Sequence, residues 1–227
     1  MKIAEIFYSL QGEGGLLGVP SVFVRSSGCN LRCTWCDTPY TSWNPEGEEM
    51  SVAAIVERVS GYPAQHVVVT GGEPMIQPQI WELTRALRSA GLHITIETAG
   101  TVDTDVACDL MSLSPKLANS TPVDREHGRW AVMHERTRTN LPALRALMDR
   151  CDYQLKFVVS TAEDLLEVQG LVGATGADVR KVILMPEGTN AAVLKERSLW
   201  LAQLCLEHGY RYSPRLHVDL WGDKRGV

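Results

Sequence analysis

Nothing in these 227 residues is apolar over the roughly 18–20 consecutive positions that a bilayer span needs, so a membrane-crossing helix is excluded. Basic charge is also scarce. Lys and Arg number 22 against 27 Asp and Glu, a net −5, which argues against a concentrated cationic surface for nucleic acid. The opening residues lack the apolar stretch of an export signal because Glu5 interrupts it, and the expected location is the cytoplasm. Repeats, low-complexity tracts and interdomain linkers are missing, so one unit over 1–227 is expected. What is present is ordinary for a soluble chain: 44% hydrophobic and 22% charged residues rule out disorder and fibre.

The cysteines are not spread as a secreted disulfide scaffold would spread them. Of six, Cys108, Cys151 and Cys205 are scattered through apolar segments and read as small buried hydrophobes. The other three, Cys29, Cys33 and Cys36, fall on one tight C-x3-C-x2-C loop. Three thiolates suit zinc or the irons of an iron–sulfur cluster. A structural zinc site wants a fourth ligand, and the next histidine, His66, lies thirty residues on at the start of an expected strand. A [4Fe–4S] cluster on three cysteines leaves one iron open to a small molecule. Spacing alone leaves cluster, zinc and coincidence as alternatives.

Hydrophobic periodicity predicts strands over 3–8, 21–25, 66–70, 93–97, 109–114, 153–159 and 179–185. Helices are expected from a Ser51 N-cap to about Val59, and over 78–90, 141–150, 163–171 and 191–206. Strands alternating with helices imply an α/β fold with a parallel sheet, in which function collects at the carboxyl ends of strands. Four unusual segments fall there: the cysteine loop, Thr70-Gly-Gly-Glu-Pro74, Glu97-Thr-Ala-Gly100 and Ser114-Pro-Lys116. Residues 117–139 are polar and poorly periodic, and read as a long loop or lid.

The cysteine motif after one strand and Gly71-Gly-Glu-Pro74 after the next resemble the radical S-adenosylmethionine (SAM) superfamily. Ser9-Leu-Gln-Gly-Glu-Gly14, Val19-Pro-Ser-Val-Phe-Val-Arg25, Cys36-Asp-Thr38 and the ending Trp221-Gly-Asp-Lys-Arg-Gly-Val227 resemble one branch of it, the 7-carboxy-7-deazaguanine synthase family. The resemblance implies an incomplete, TIM-type barrel of parallel strands with a short added N-terminal strand, and a homodimer. It implies a [4Fe–4S] cluster on Cys29, Cys33 and Cys36, with SAM on the open iron. SAM contacts would come from Trp35, Cys36, Asp37, Gly72, Glu73, Glu97, Ser114, Pro115 and Lys116, with Glu73 offering its carboxylate to the SAM ammonium. Thr38 would bind Mg2+, a hard cation suited to a hydroxyl oxygen. Substrate contacts would come from Leu10, Gln11, Gly12, Glu13, Arg25, Thr70 and Val227. Arg25 can pair bidentately with a carboxylate, while Glu13 or a Val227 carboxylate can accept from a pterin edge. Each residue also has a plainer reading: a tight turn for Gly71 and Gly72, a structural hydrogen bond for Glu97, a turn cap for Thr38, a surface ion pair for Arg25.

The implied reaction starts with one electron from a flavodoxin-like donor protein entering the cluster and cleaving SAM. The resulting 5′-deoxyadenosyl radical takes hydrogen from C6 of 6-carboxy-5,6,7,8-tetrahydropterin, whose ring contracts with loss of ammonia to 7-carboxy-7-deazaguanine. A radical this reactive needs a closed pocket, for which the 117–139 segment is the expected cover. The alternatives are a glycyl-radical-enzyme activase with the same cysteine spacing, and a non-catalytic zinc or iron–sulfur module.

Overall fold

The computed structural model describes residues 1–227. The chain runs β1 (Lys2–Leu10), β2 (Pro20–Ser26), α1 (Pro39–Ser42), β3 (Glu48–Glu49), α2 (Val52–Ser60), β4 (His66–Gly71), α3 (Ile80–Ser89), β5 (His93–Thr98) and β6 (Leu110–Leu113). It continues α4 (Ala131–Thr137), α5 (Leu141–Arg150), β7 (Tyr153–Val159), α6 (Asp164–Thr175), β8 (Val182–Pro186), α7 (Ala191–His208), β9 (Arg211–Tyr212) and α8 (Leu216–Trp221). All nine strands form one sheet in the order β3-β1-β2-β4-β5-β6-β7-β8-β9. From β2 to β9 every neighbour is parallel. The sheet does not close, which is the partial barrel expected.

Local chemistry accounts for most boundaries. Ser51 caps α2, its hydroxyl accepting the Ala54 N–H at 3.2 Å. Asn190 does the same for α7. Asp178 caps a turn over Val179–Lys181, which delays β8 to Val182, three residues after the expected start. Along the strands, apolar and polar residues alternate. Val22, Val24, Val67, Val69, Ile94, Ile96, Met111, Leu113, Leu155 and Phe157 are buried in the layer shared with the helices. Phe23, Arg25, Thr70, Glu97, Ser112, Lys156 and Val158 project to the opposite, concave face. Parallel sheets usually bury both faces in continuous apolar runs; here one face is apolar and the other carries charge.

Two features depart from a plain alternation of parallel strands and helices. β1 runs antiparallel to β2, with Phe7 opposite Phe23, because the nine residues between them hold only a 3-10 turn at Gly14–Leu16 and form a hairpin connection. The 117–139 segment is not a plain loop. It holds two short 3-10 turns and α4, and His134 within it is wholly buried. The short elements β3, β9, α1 and α8 had no periodic signal long enough to reveal them.

Ile96 is fully buried between β4 and β6 against the helices, so Ile96→Ala should cost about 2–5 kcal/mol of unfolding free energy by urea titration. Leu199→Ala, at a position 81% exposed on α7, should change it by less than about 0.5 kcal/mol.

Candidate functional site

β2 ends by feeding Ser26-Ser27-Gly28 into the cysteine loop, and β4, paired beside it, ends at Gly71. The two ends are stitched together. Gly72 N–H donates to Ser26 O at 3.2 Å, and Glu73 N–H donates to Gly28 O at 2.9 Å. A Cβ on Gly72 would stand 2.3 Å from the Gly28 carbonyl oxygen and 2.8 Å from Cys29 Cβ. Gly72 is therefore required by the close approach of two backbones, beyond the needs of a tight turn.

The three loop cysteines line one cavity of about 530 Å3. Leu31 N–H donates to Cys29 Sγ at 3.3 Å, and the Ser42 hydroxyl lies 3.2 Å from Cys36 Sγ. Burial pushes the Cys29 and Cys33 thiols up to about 12, so each stays protonated at neutral pH until a metal takes its place beside it. Three separate thiols on one loop, with donors aimed at sulfur, fit a cluster in which each binds its own iron. His66 is far from this loop, paired in register with the start of β2 and tilted against the His93 ring at the opposite end of the strands.

Across the concave face runs a chain of buried charges. Lys156 of β7, 4% exposed, pairs with Glu13 and stands 3.8 Å from Glu97. Arg215 pairs with Glu13 at 3.3 Å and with Asp37, and donates to Gly188 O at 2.6 Å. Burial alone would push Glu13 up, but the Lys156 and Arg215 cations overcome it and hold its carboxyl well below the usual range. His217, half-buried beside Gly12, is kept below its ordinary value by desolvation. Lys156 did leave a trace in the sequence, as a lone cation inside an apolar strand. Arg215, His217, Glu5 and Tyr40 left none, because their roles arise from partners far away along the chain.

Every expected site residue except Glu73 and Pro115 lines this cavity: Leu10, Gln11, Gly12, Glu13, Arg25, the three cysteines, Trp35, Asp37, Thr38, Thr70, Gly72, Glu97, Ser114, Lys116 and Val227. Glu73 is a correction. Its carboxylate is fully buried and accepts from Met75 N–H at 3.0 Å, Thr98 Oγ1 at 2.7 Å and Ala99 N–H at 2.9 Å. It braces the β4 and β5 ends and is not free for a ligand's ammonium. Glu13 lines the cavity and gives one oxygen to Lys156 and the other to Arg215, so each oxygen keeps further acceptor capacity. Gln11 spends its Nε2 on Ser21 Oγ at 3.0 Å. Thr38 precedes α1 but its hydroxyl makes no capping bond. Lys116 Nζ donates to both the carbonyl and the hydroxyl of Ser114 at 2.9 Å.

The 117–139 segment does not line the cavity. It backs the cysteine loop from outside: Thr34 N–H donates to Ser120 O at 2.8 Å, Trp35 Nε1 to Asn119 O at 3.1 Å, and Arg32 N–H to His134 Nδ1 at 3.1 Å. The expected cover is thus a buttress. Residues 222–227, which follow α8, line the cavity in its place.

A family model described as the radical SAM superfamily matches residues 23–122. The chain is 49% identical to a 7-carboxy-7-deazaguanine synthase of Halobacterium salinarum, over 98% of this chain and 91% of that protein. It is 45% identical to one of Rhodopirellula baltica, over 100% and 89%. Among solved structures it resembles the crystal structure of QueE from Escherichia coli, with TM-score 0.70, 26% identity and coverage of 95% and 94%.

His134 supplies a test of the buttress. Its Nδ1 accepts from Arg32 N–H, so Nε2 carries the proton toward Ser120 Oγ, 2.9 Å away, and the ring is neutral. Burial pushes it down to about 4. Because the unfolded ring takes a proton near 6.5, the stability it contributes is present above that pH and is lost as pH falls from about 6.5 toward 4. Urea midpoints measured across pH 4–7 should show this fall, and His134→Gln should flatten it.

Proposed function

Because the chain belongs to the 7-carboxy-7-deazaguanine synthase family of radical SAM enzymes, we propose that it converts 6-carboxy-5,6,7,8-tetrahydropterin to 7-carboxy-7-deazaguanine with loss of ammonia. The carrying observation is that one cavity is lined both by the three cysteines and by Arg25. Arg25 uses only Nε, on Glu5 Oε1 at 2.7 Å, and its terminal nitrogens make no hydrogen bond within the chain. A largely buried guanidinium with four unused N–H donors facing a cavity is a receptor for a carboxylate.

The cluster and SAM, when bound, supply the electron and the 5′-deoxyadenosyl radical. The chain's own residues bind, orient and shield. Gly72 brings backbone to the edge of the cysteine loop, where its carbonyl can accept from the SAM ammonium. Lys116 and Ser114, already joined, offer a cation and a hydroxyl for the carboxylate or ribose, and Trp35 offers backbone to the adenine. Thr38, whose hydroxyl lies 3.8 Å from Cys36 Sγ and makes no capping bond, suits Mg2+, the remaining positions being water and substrate oxygens. Thr70 donates to Glu97 at 3.0 Å, and this pair marks the floor between the SAM and substrate halves. The apolar walls, Phe7, Phe23, Leu31 and Val158, keep water from the reacting carbon. A flavodoxin-like donor would reduce the cluster.

Anaerobic turnover of the iron- and sulfide-reconstituted protein with SAM, reductant, Mg2+ and the pterin should yield 7-carboxy-7-deazaguanine by mass, and Cys29→Ala should abolish it. Arg25→Met should lower kcat/KM by about tenfold to a hundredfold, the loss of charge-assisted hydrogen bonds to a carboxylate. Cleavage of SAM to 5′-deoxyadenosine without that product would keep the radical chemistry and reject the substrate.

A further inference from the structure

α8 is followed by a turn at Gly222, φ +71°, and residues 222–227 run along the cavity, each of them lining it. Their own backbone gives little reason to stay there. Gly222 N–H donates back to Val218 O, and Lys224 N–H donates to Gly222 O. Beyond Gly222, every hydrogen bond that ties this segment to the rest of the chain belongs to Arg225. Its Nε donates to Glu5 Oε2 at 3.2 Å, Nη1 to Glu46 Oε2 at 3.1 Å, and Nη2 to Ala4 O at 3.3 Å. The guanidinium lies 3.9 Å from the centre of the Tyr40 ring, a cation–π contact.

Glu5 is the hinge of this arrangement. Its Oε1 accepts from Arg25 Nε and from Tyr40 OH, both at 2.7 Å, while Oε2 goes to Arg225. One carboxylate is thereby divided between two guanidiniums. Were Arg225 absent, both oxygens would be free to turn to Arg25 as a bidentate pair and cover the nitrogens that now face the cavity. We propose that Arg225 is a positioning residue for the substrate: it straps residues 222–227 over the cavity and holds Glu5 so that Arg25 keeps its terminal nitrogens open to a carboxylate. This rests on the carboxylated-pterin reading above. Arg225 touches no reacting atom and acts only through Glu5 and the strap.

The test compares wild type, Arg225→Ala and Arg225→Lys as reconstituted enzymes. Arg225 is 45% exposed, so the alanine variant should fold with an unchanged thermal midpoint. Its KM for the pterin, and its Kd for 6-carboxypterin followed by fluorescence, should rise about tenfold, the loss of a partly exposed ion-pair network with its cation–π contact. Its kcat at saturation and its substrate-free SAM cleavage should stay within about twofold. Binding of pterin lacking the carboxylate should change less than that of 6-carboxypterin. The lysine variant should fall between, since it keeps charge but not the fork. Separately, trypsin should cut after Lys224 faster in the alanine variant than in wild type. Unchanged KM and Kd overturn the proposal, as does faster trypsin cleavage with unaltered pterin binding. If wild type itself neither turns over the pterin nor binds 6-carboxypterin, the substrate reading fails. Arg225 then stands or falls as the strap by the trypsin rates alone.

Discussion

A lysine placed on the inside of an open sheet must find a counter-charge, and in this chain the whole site is arranged around the answer. Lys156 reaches Glu13 across the concave face, Glu13 also holds Arg215, and Arg215 holds Asp37 beside the third cysteine. Buried charges of this kind are tolerated only as a compensated set, because removing one partner leaves the other desolvated and alone. The same set is a scaffold. It joins the loop after β1, the strand β7, the cysteine loop and the start of α8, segments that no backbone ladder connects. An open barrel that would otherwise have a solvent-filled groove acquires a fixed, charged cavity.

The cysteine loop depends on contacts of a different kind. Gly72 is seated on Gly28 and Cys29, Glu73 knits the β4 and β5 ends from beneath, and His134 receives Arg32 N–H from outside. The loop is thus held on both sides before any metal arrives. Burial keeps the Cys29 and Cys33 thiols protonated, so a metal would bring about their ionisation on loading. The apolar wall of the cavity would limit the side reactions open to a radical formed there.

Charge balance also explains how one cavity serves an anion without being a generic anion trap. Arg25 and Arg225 share Glu5, with Glu46 beyond, so two cations face two carboxylates near the substrate end. On the proposed reading, a ligand carboxylate would be selected by meeting the unused face of Arg25 at the correct angle. Specificity would then reside in geometry more than in field strength.

Much of this was open to reading along the chain. The alternation of β-branched and polar residues placed six of the seven expected strands within about two residues of their observed bounds, since a strand's two faces impose a period of two. The cysteine spacing and the Gly-Gly-Glu-Pro turn announced their chemistry because motif and contact there are local. Glu73 was misread for a related reason: a carboxylate beside a motif looks free until the Thr98 and Ala99 donors, 25 and 26 residues away, are seen to occupy it. Arg215 and Arg225, and the exchange of roles between residues 117–139 and 222–227, could come only from the folded chain. Local sequence fixes backbone period, turn geometry and metal-ligand spacing. Which charges meet, and which segment lies over the cavity, is settled by pairings across 178 to 220 residues, where only compensation of buried charge in three dimensions selects the partner.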